Sequence, residues 1–230
     1  MENLTPGFHI EYPMINSDKD AVSKLLSLKE IGSYKIVNSR SLAYIDTYWD
    51  TVNGDLYNSS RVLRTRKRDE EFEFIDYKGT PQYLFQVLFA RKLFSERVRG
   101  TQEALDAISL TKPSGPIQAL YRDRIDLLGN VLVQVANCHV ERTNFDLVTS
   151  ANEGFCTISV HKFYFDTKEG ETDLKELIEV QPYSKSLFII EKLPEIFLIV
   201  TEELKKLKWK LSPASKYHRL DRKYIEQIGC

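Results

Sequence analysis

A chain of 230 residues is long enough to bury a proper core and fits one large domain or two small ones. With 42% hydrophobic and 28% charged residues, it has the composition of an ordinary soluble globular protein. Its 32 lysines and arginines nearly cancel 33 acids, so no global basic field recruits nucleic acid or an acidic membrane, and any anion site has to be built locally.

The N-terminal MENLTPGFHIEYP has neither a cationic start nor an apolar run, which argues against a signal peptide or membrane anchor. The most apolar region, Leu187–Val200, is broken by Glu191, Lys192, Pro194 and Glu195 and is too short and too charged to span a bilayer. Cys138, Cys156 and Cys230 are odd in number and far apart, without metal-ligand spacing, as expected of free thiols in a reducing cytoplasm. No repeat or low-complexity linker divides the chain, which reads as one domain over 1–230.

In chain order, Phe8–Tyr12 alternates as a first strand, and Ser17–Leu28 carries a helix signature with serine at its cap. Leu42–Thr51 and Val62–Arg68 form a hairpin-like pair turning at Asn53-Gly54. Phe72–Lys78 alternates until Thr80-Pro81 breaks it, and Phe85–Val98 is strand-like. Thr101–Leu110 reads as a short helix, and Pro116 starts another that runs through Leu128 to Gly129-Asn130. Val131–Val135, Cys138–Leu147, Cys156–Phe165 and Leu174–Val180 are strand-like, and Glu191–Trp209 has helical periodicity. About eight strands without strict strand–helix alternation favour an antiparallel sheet that can close on itself.

The richest segment is Tyr48–Arg68, YWDTVNGDLYNSSRVLRTRKR. Arg64, Arg66 and Arg68 stand two apart, so in a strand their guanidiniums project the same way. A row of like charge repels itself unless an anion sits against it; the segment reads either as a solvated edge strand whose arginines meet water or as a phosphate-binding strand. Elsewhere Lys175, Leu177, Glu179 and Gln181 share a face, as do Asp76 and Lys78, and Arg142, Asn144 and Asp146. Acids and bases thus come from separate strands, the mixture that a metal–polyphosphate site needs.

YWDTVNGDL followed by LRTRKR resembles the CYTH domain of the triphosphate tunnel metalloenzymes, with its Y-x-D-T strand and L-R-x-R strand. FIDYKG around Lys78, VERTNFDL around Arg142, the pair ISVHKFYF and ELIEVQP, and SPASKYHRL around Lys216 resemble later elements in the same order, roughly Phe8 to Leu220. The resemblance implies an α+β fold: an antiparallel eight-stranded closed β-barrel, or tunnel, with flanking helices. It implies phosphate-binding residues Arg64, Arg66, Lys78, Arg91, Arg142 and Lys216, metal ligands Glu11 and Glu179, and Mg2+ or Mn2+ as cofactor. The partner would be a small-molecule polyphosphate or nucleotide, thiamine triphosphate included, with membrane and nucleic acid disfavoured; catalytic residues and oligomeric state stay open.

Three positions depart from the family pattern. The first strand reads His9-x-Glu11 with no lysine, the last reads Glu179-x-Gln181, and His161 stands where an acid is usual. Magnesium prefers carboxylate oxygens, whereas histidine suits softer metals, and both histidines read more naturally as hydrogen-bonded side chains than as ligands. Two functions therefore stand side by side: a metal-dependent triphosphatase, and a catalytically degenerate module that binds a polyphosphate or nucleotide without turnover.

Overall fold

The computed structural model describes residues 7–16, 18, 20–68, 71–84, 88–151, 154–182, 198–212 and 214–226. The elements are β1 (Gly7–Ile15), α1 (Ala21–Leu26), β2 (Glu30–Ile31), β3 (Tyr34–Thr51), α2 (Asp55–Asn58), β4 (Val62–Arg68), β5 (Glu71–Lys78), β6 (Gln82–Leu84), β7 (Leu88–Arg97), α3 (Thr101–Ile108) and α4 (Gly115–Asp123). Beyond them come β8 (Leu132–Val148), β9 (Gly154–Thr167), β10 (Gly170–Glu171), β11 (Lys175–Pro182), helical residues 198–206 (α5), β12 (Lys210–Leu211) and α6 (Arg222–Glu226).

All strands pair antiparallel in the order β12-β1-β11-β9-β8-β3-β4-β5-β7-β6, with β2 on β3 and β10 on β9. The α+β class with flanking helices holds, but the closed eight-stranded barrel needs correction. Among the described residues the sheet counts 12 strands. It curls until β1 meets both ends of the order, yet Gly7–Glu11 pair with β7 and Tyr12–Met14 pair with β11. The two ladders succeed one another along β1 without overlapping, so no continuous hydrogen-bonded ring forms.

Period-two alternation explains where the core lies. Leu63, Ile75, Tyr77 and Phe94 alternate with Arg64, Asp76 and Ser95, and pack against α3 and α4 through Ala104, Ile108, Ile117 and Leu120. Phe145, Leu147, Ile158, Val160, Ile178 and Val180 likewise cluster with Val22 and Leu25 of α1 and with Val200 and Leu204 of α5. The apolar faces are thus turned to the helices and the polar faces to the inside of the curl. A third cluster, with Tyr48, Cys138, Phe163, Leu177 and Tyr217, continues the inward faces as an apolar plug.

Between β3 and β4 the chain does not make the simple hairpin turn expected at Asn53-Gly54; it inserts the one-turn helix α2. Gly54 has φ 67°, a left-handed conformation that favours glycine. Asp50 accepts hydrogen bonds from the backbone N–H groups of Leu56 and Tyr57 (both 2.8 Å) and from the Tyr217 hydroxyl (2.8 Å). The aspartate of the Y-x-D-T pattern therefore holds α2 and the C-terminal segment in place. Val131–Val135 and Cys138–Leu147 merge into the single strand β8, and the helix from Pro116 stops at Asp123, with a 3-10 turn at Ile125–Leu127. Ser17, and the part of Glu191–Trp209 before residue 198, lie outside the described residues. Among the described residues no helix is long and apolar enough to cross a membrane.

Candidate anion site inside the curled sheet

Strand register alone assembles the site. In the β3–β4 ladder Asp46 stands opposite Arg66, and in the β4–β5 ladder Arg64 stands opposite Asp76. Cross-strand neighbours are close enough for side chains to pair, and these do. The Nε and Nη2 of Arg64 donate to Asp76 Oδ2 at 2.9 and 2.7 Å, and its Nη1 donates to Asp46 Oδ2 at 2.8 Å. Arg66 Nε donates to Asp46 Oδ1 at 2.7 Å and Nη2 to Oδ2 at 3.1 Å, while its guanidinium lies 3.8 Å over the Tyr44 ring. Ser95 donates to the other Asp76 oxygen at 2.6 Å.

Burial raises the cost of ionising Asp46, but the flanking guanidiniums of Arg64 and Arg66 outweigh it and hold the carboxyl well below the usual range. Asp76 is shifted the same way: burial opposes, and Arg64 and Ser95 prevail. The Asp46 side chain is 0% exposed, whereas Arg64 and Arg66 keep 11% and 14% of theirs accessible. The acid stands behind the arginines, and the cations face the cavity.

That cavity, of 240 Å³, is lined by Arg64, Arg66 and Lys78 on one side and Arg142, His161, Glu179, Gln181 and Lys216 on the other. Arg142 on β8 faces His161 on β9 in register, and donates through Nε to Asn144 Oδ1 at 2.6 Å and through Nη2 to Ser159 Oγ at 2.7 Å. Lys216 comes from the segment after β12, its Nζ 3.5 Å from Glu179 Oε1 and 3.4 Å from His161 Nδ1. The Nε2 of His161 lies 3.1 Å from Glu179 Oε2. Burial first, then the Lys216 ammonium, pushes His161 down to about 4, so the ring is neutral near pH 7. For Glu179, burial is outweighed by Lys216 and His161, and its carboxyl lies well below its ordinary value. Among the described side chains, five cations meet three carboxylates (Asp46, Asp76 and Glu179), a local surplus of two positive charges in a chain of net charge −1.

Five of the six expected phosphate-binding residues thus converge, together with Glu179. Arg91 is also buried, but its Nη1 donates to the Ser60 carbonyl at 3.1 Å and it does not line this cavity. Glu11 sits in β1 opposite Phe89, and its side chain lies outside the described residues, as does that of His9. Arg68 corrects the three-arginine row: it ends β4, beyond a shift in the β4–β5 ladder where β5 carries one extra residue between Phe74 and Phe72, and it lines a separate groove with Lys67, His139 and Lys162. The acids Asp46 and Asp76 are the residues the arginine spacing does not announce. Among the described residues no group of three or more His, Cys, Asp or Glu is placed to hold a metal ion.

No family model matches the sequence, and no curated protein matches it. Solved structures do share the fold. A candidate adenylate cyclase from Bacillus halodurans superposes with a TM-score of 0.58 at 18% identity, over 93% of this chain and 98% of that one. A candidate adenylyl cyclase from Hippeastrum, described as having a dominant triphosphatase activity, superposes with a TM-score of 0.55 at 17% identity, over 92% of this chain and 95% of that one. At these identities the likeness shows a shared fold, in keeping with the resemblance to the CYTH-type triphosphate-tunnel proteins except for the closed eight-stranded ring.

Proposed function

We propose that the chain binds a small triphosphate-containing molecule (inorganic tripolyphosphate, a nucleoside triphosphate or thiamine triphosphate) through Arg64, Arg66, Lys78, Arg142 and Lys216. The observation that carries this reading is the convergence of those five cations on one 240 Å³ cavity with positive charge in excess. Two are held ready by buried acids, so little side-chain entropy remains to be lost on binding. Arginine forks suit the paired oxygens of phosphate, and the low-dielectric surroundings strengthen each contact. A cavity this small suits a compact polyanion, with any organic part of the ligand outside it.

Hydrolysis of the bound triphosphate is the second reading, favoured by the triphosphatase activity described for the Hippeastrum protein. It would call on Mg2+ or Mn2+, which the described side chains do not fit: Asp46 and Asp76 are committed to arginines, and Glu179 lies between Lys216 and His161. Binding without turnover is therefore the function we assign first.

Tripolyphosphate, ATP and thiamine triphosphate should each be added to the purified chain, with chelator or with magnesium or manganese, while melting temperature and phosphate release are monitored. The expected result is a melting temperature raised by at least one triphosphate, with affinity reduced roughly tenfold or more by Arg142→Gln. Absence of any stabilisation by all three compounds in every condition would sink the reading, and steady phosphate release would replace it with the second.

A further inference from the structure

Glu179 is the one carboxylate among the described cavity residues that no arginine engages, and both of its oxygens meet nitrogen groups of the chain itself. Oε2 accepts from Gln181 Nε2 at 3.3 Å and lies 3.1 Å from His161 Nε2, while Oε1 lies 3.5 Å from Lys216 Nζ. His161 is buried with its other nitrogen, Nδ1, 3.4 Å from the same ammonium. With Nε2 toward a carboxylate and Nδ1 toward an ammonium, the ring protonated at Nε2 is the tautomer in which neither nitrogen meets a like partner.

A hard divalent cation needs several oxygen ligands at about 2.0–2.6 Å and is repelled by an adjacent ammonium. Here the carboxylate accepts from Gln181 and Lys216 and has His161 Nε2 at 3.1 Å, the two imidazole nitrogens lie toward Glu179 and Lys216, and a fixed positive charge lies within 3.5 Å of the candidate oxygen ligand. We propose that this cavity takes its polyphosphate free of divalent metal, the Lys216 ammonium doing beside Glu179 what a metal ion would do: offsetting the carboxylate so that a polyanion can approach. The inference rests on the binding reading and narrows its ligand to the uncomplexed polyanion.

The metal complex of a polyphosphate carries less negative charge than the free anion and brings a cation toward Lys216, so metal in excess weakens binding. Glu179 is a counter-charge and not a ligand holder, so neutralising it strengthens binding.

The test is calorimetric titration of the full chain with sodium tripolyphosphate, once in excess chelator and once in excess magnesium or manganese, for the natural sequence and for Glu179→Gln. Binding in chelator tighter than with metal, and tightened further on the order of tenfold by Glu179→Gln, is the expected result. Binding that requires magnesium or manganese, or that weakens in Glu179→Gln, overturns the proposal while leaving the binding reading standing. No binding in either condition removes the binding reading itself, and the proposal with it. Should Glu179→Gln fail to fold, the comparison of chelator with metal on the natural sequence decides alone. Glu11→Gln adds a further arm: loss of a metal-dependent component would show that Glu11 completes a cation site and would likewise overturn the proposal.

Discussion

Asp46→Asn separates the two things the buried acid does. The carboxylate spans both arginines, with contacts of 2.8 Å to Arg64 and 2.7 and 3.1 Å to Arg66. Asparagine keeps the shape but removes the charge, leaving Arg66 facing an amide and Arg64 with Asp76 alone. Breaking a buried ion pair from one side costs about 3–5 kcal/mol. For a chain of this size that corresponds to a fall in melting temperature of roughly 6–20 °C. The same change raises the positive surplus of the cavity from two to three, so tripolyphosphate should stabilise the variant by more degrees than it stabilises the natural chain; saturation at a hundredfold over Kd returns about 2.7 kcal/mol. The assay is thermal denaturation of both proteins near neutral pH with and without tripolyphosphate. The carboxyl is held below its ordinary value of about 3.9, so its contribution is complete above that pH and is lost as pH falls through the folded value. An unchanged melting temperature would refute the pairing. A large fall with no added response to tripolyphosphate would refute the placement of Arg64 and Arg66 on the ligand side of the acid.

Two further expectations concern stability. His161 and His218 are both pushed down to about 4, chiefly by burial and then by Lys216 and Arg91 respectively, so the unfolded chain binds more protons than the native one from about 4 to 6.5. Stability therefore rises with pH through that window by at most roughly 3 kcal/mol per histidine, with Asp50, raised by burial, opposing in part. Urea midpoints measured across the window should rise, with a flatter profile in His161→Gln; a profile already flat in the natural chain would contradict both placements. Gly54→Ala adds a Cβ at φ 67° and drives it into Ile225 Cγ2, so backbone strain of about 1–2 kcal/mol combines with displacement of α6. A loss of under about half a kcal/mol in chemical denaturation would show that α6 does not pack there in solution.

What the sequence makes legible depends on the range of the cause. Arg64 and Arg66 face the cavity because alternation is a local property of a strand, and Glu179 with Gln181, Arg142 with Asn144, and Asp76 with Lys78 share faces for the same reason. Arg68 escapes because it stands at the end of β4, beside an extra residue on β5 that nothing in the arginine segment marks, and the groove it lines is separate from the cavity. Asp46 and Asp76 are in plain view, but their pairing depends on how three strands align, and register is fixed by the packing of the opposite faces on α3 and α4. The ring is illegible for a related reason: whether β1 pairs with two neighbours at once depends on how far each ladder runs along it.

That difference in range also changes what the arginine row means. Read from sequence, like charges two residues apart demand an anion, and a ligand is one answer. The structure supplies another: Asp46 and Asp76 serve as internal anions for Arg64 and Arg66. Pairing of the row therefore does not by itself require a ligand, and the case for one passes to charges whose partners are neutral. Arg142 is such a charge, since its named acceptors are the amide oxygen of Asn144 and the hydroxyl of Ser159, which hold the guanidinium without offsetting it. Neutral acceptors orient a fork and leave its field intact, whereas carboxylates orient it and cancel most of that field. Arg142 is thus expected to carry more of the anion affinity than either arginine of the conspicuous row, although it stands alone in its strand.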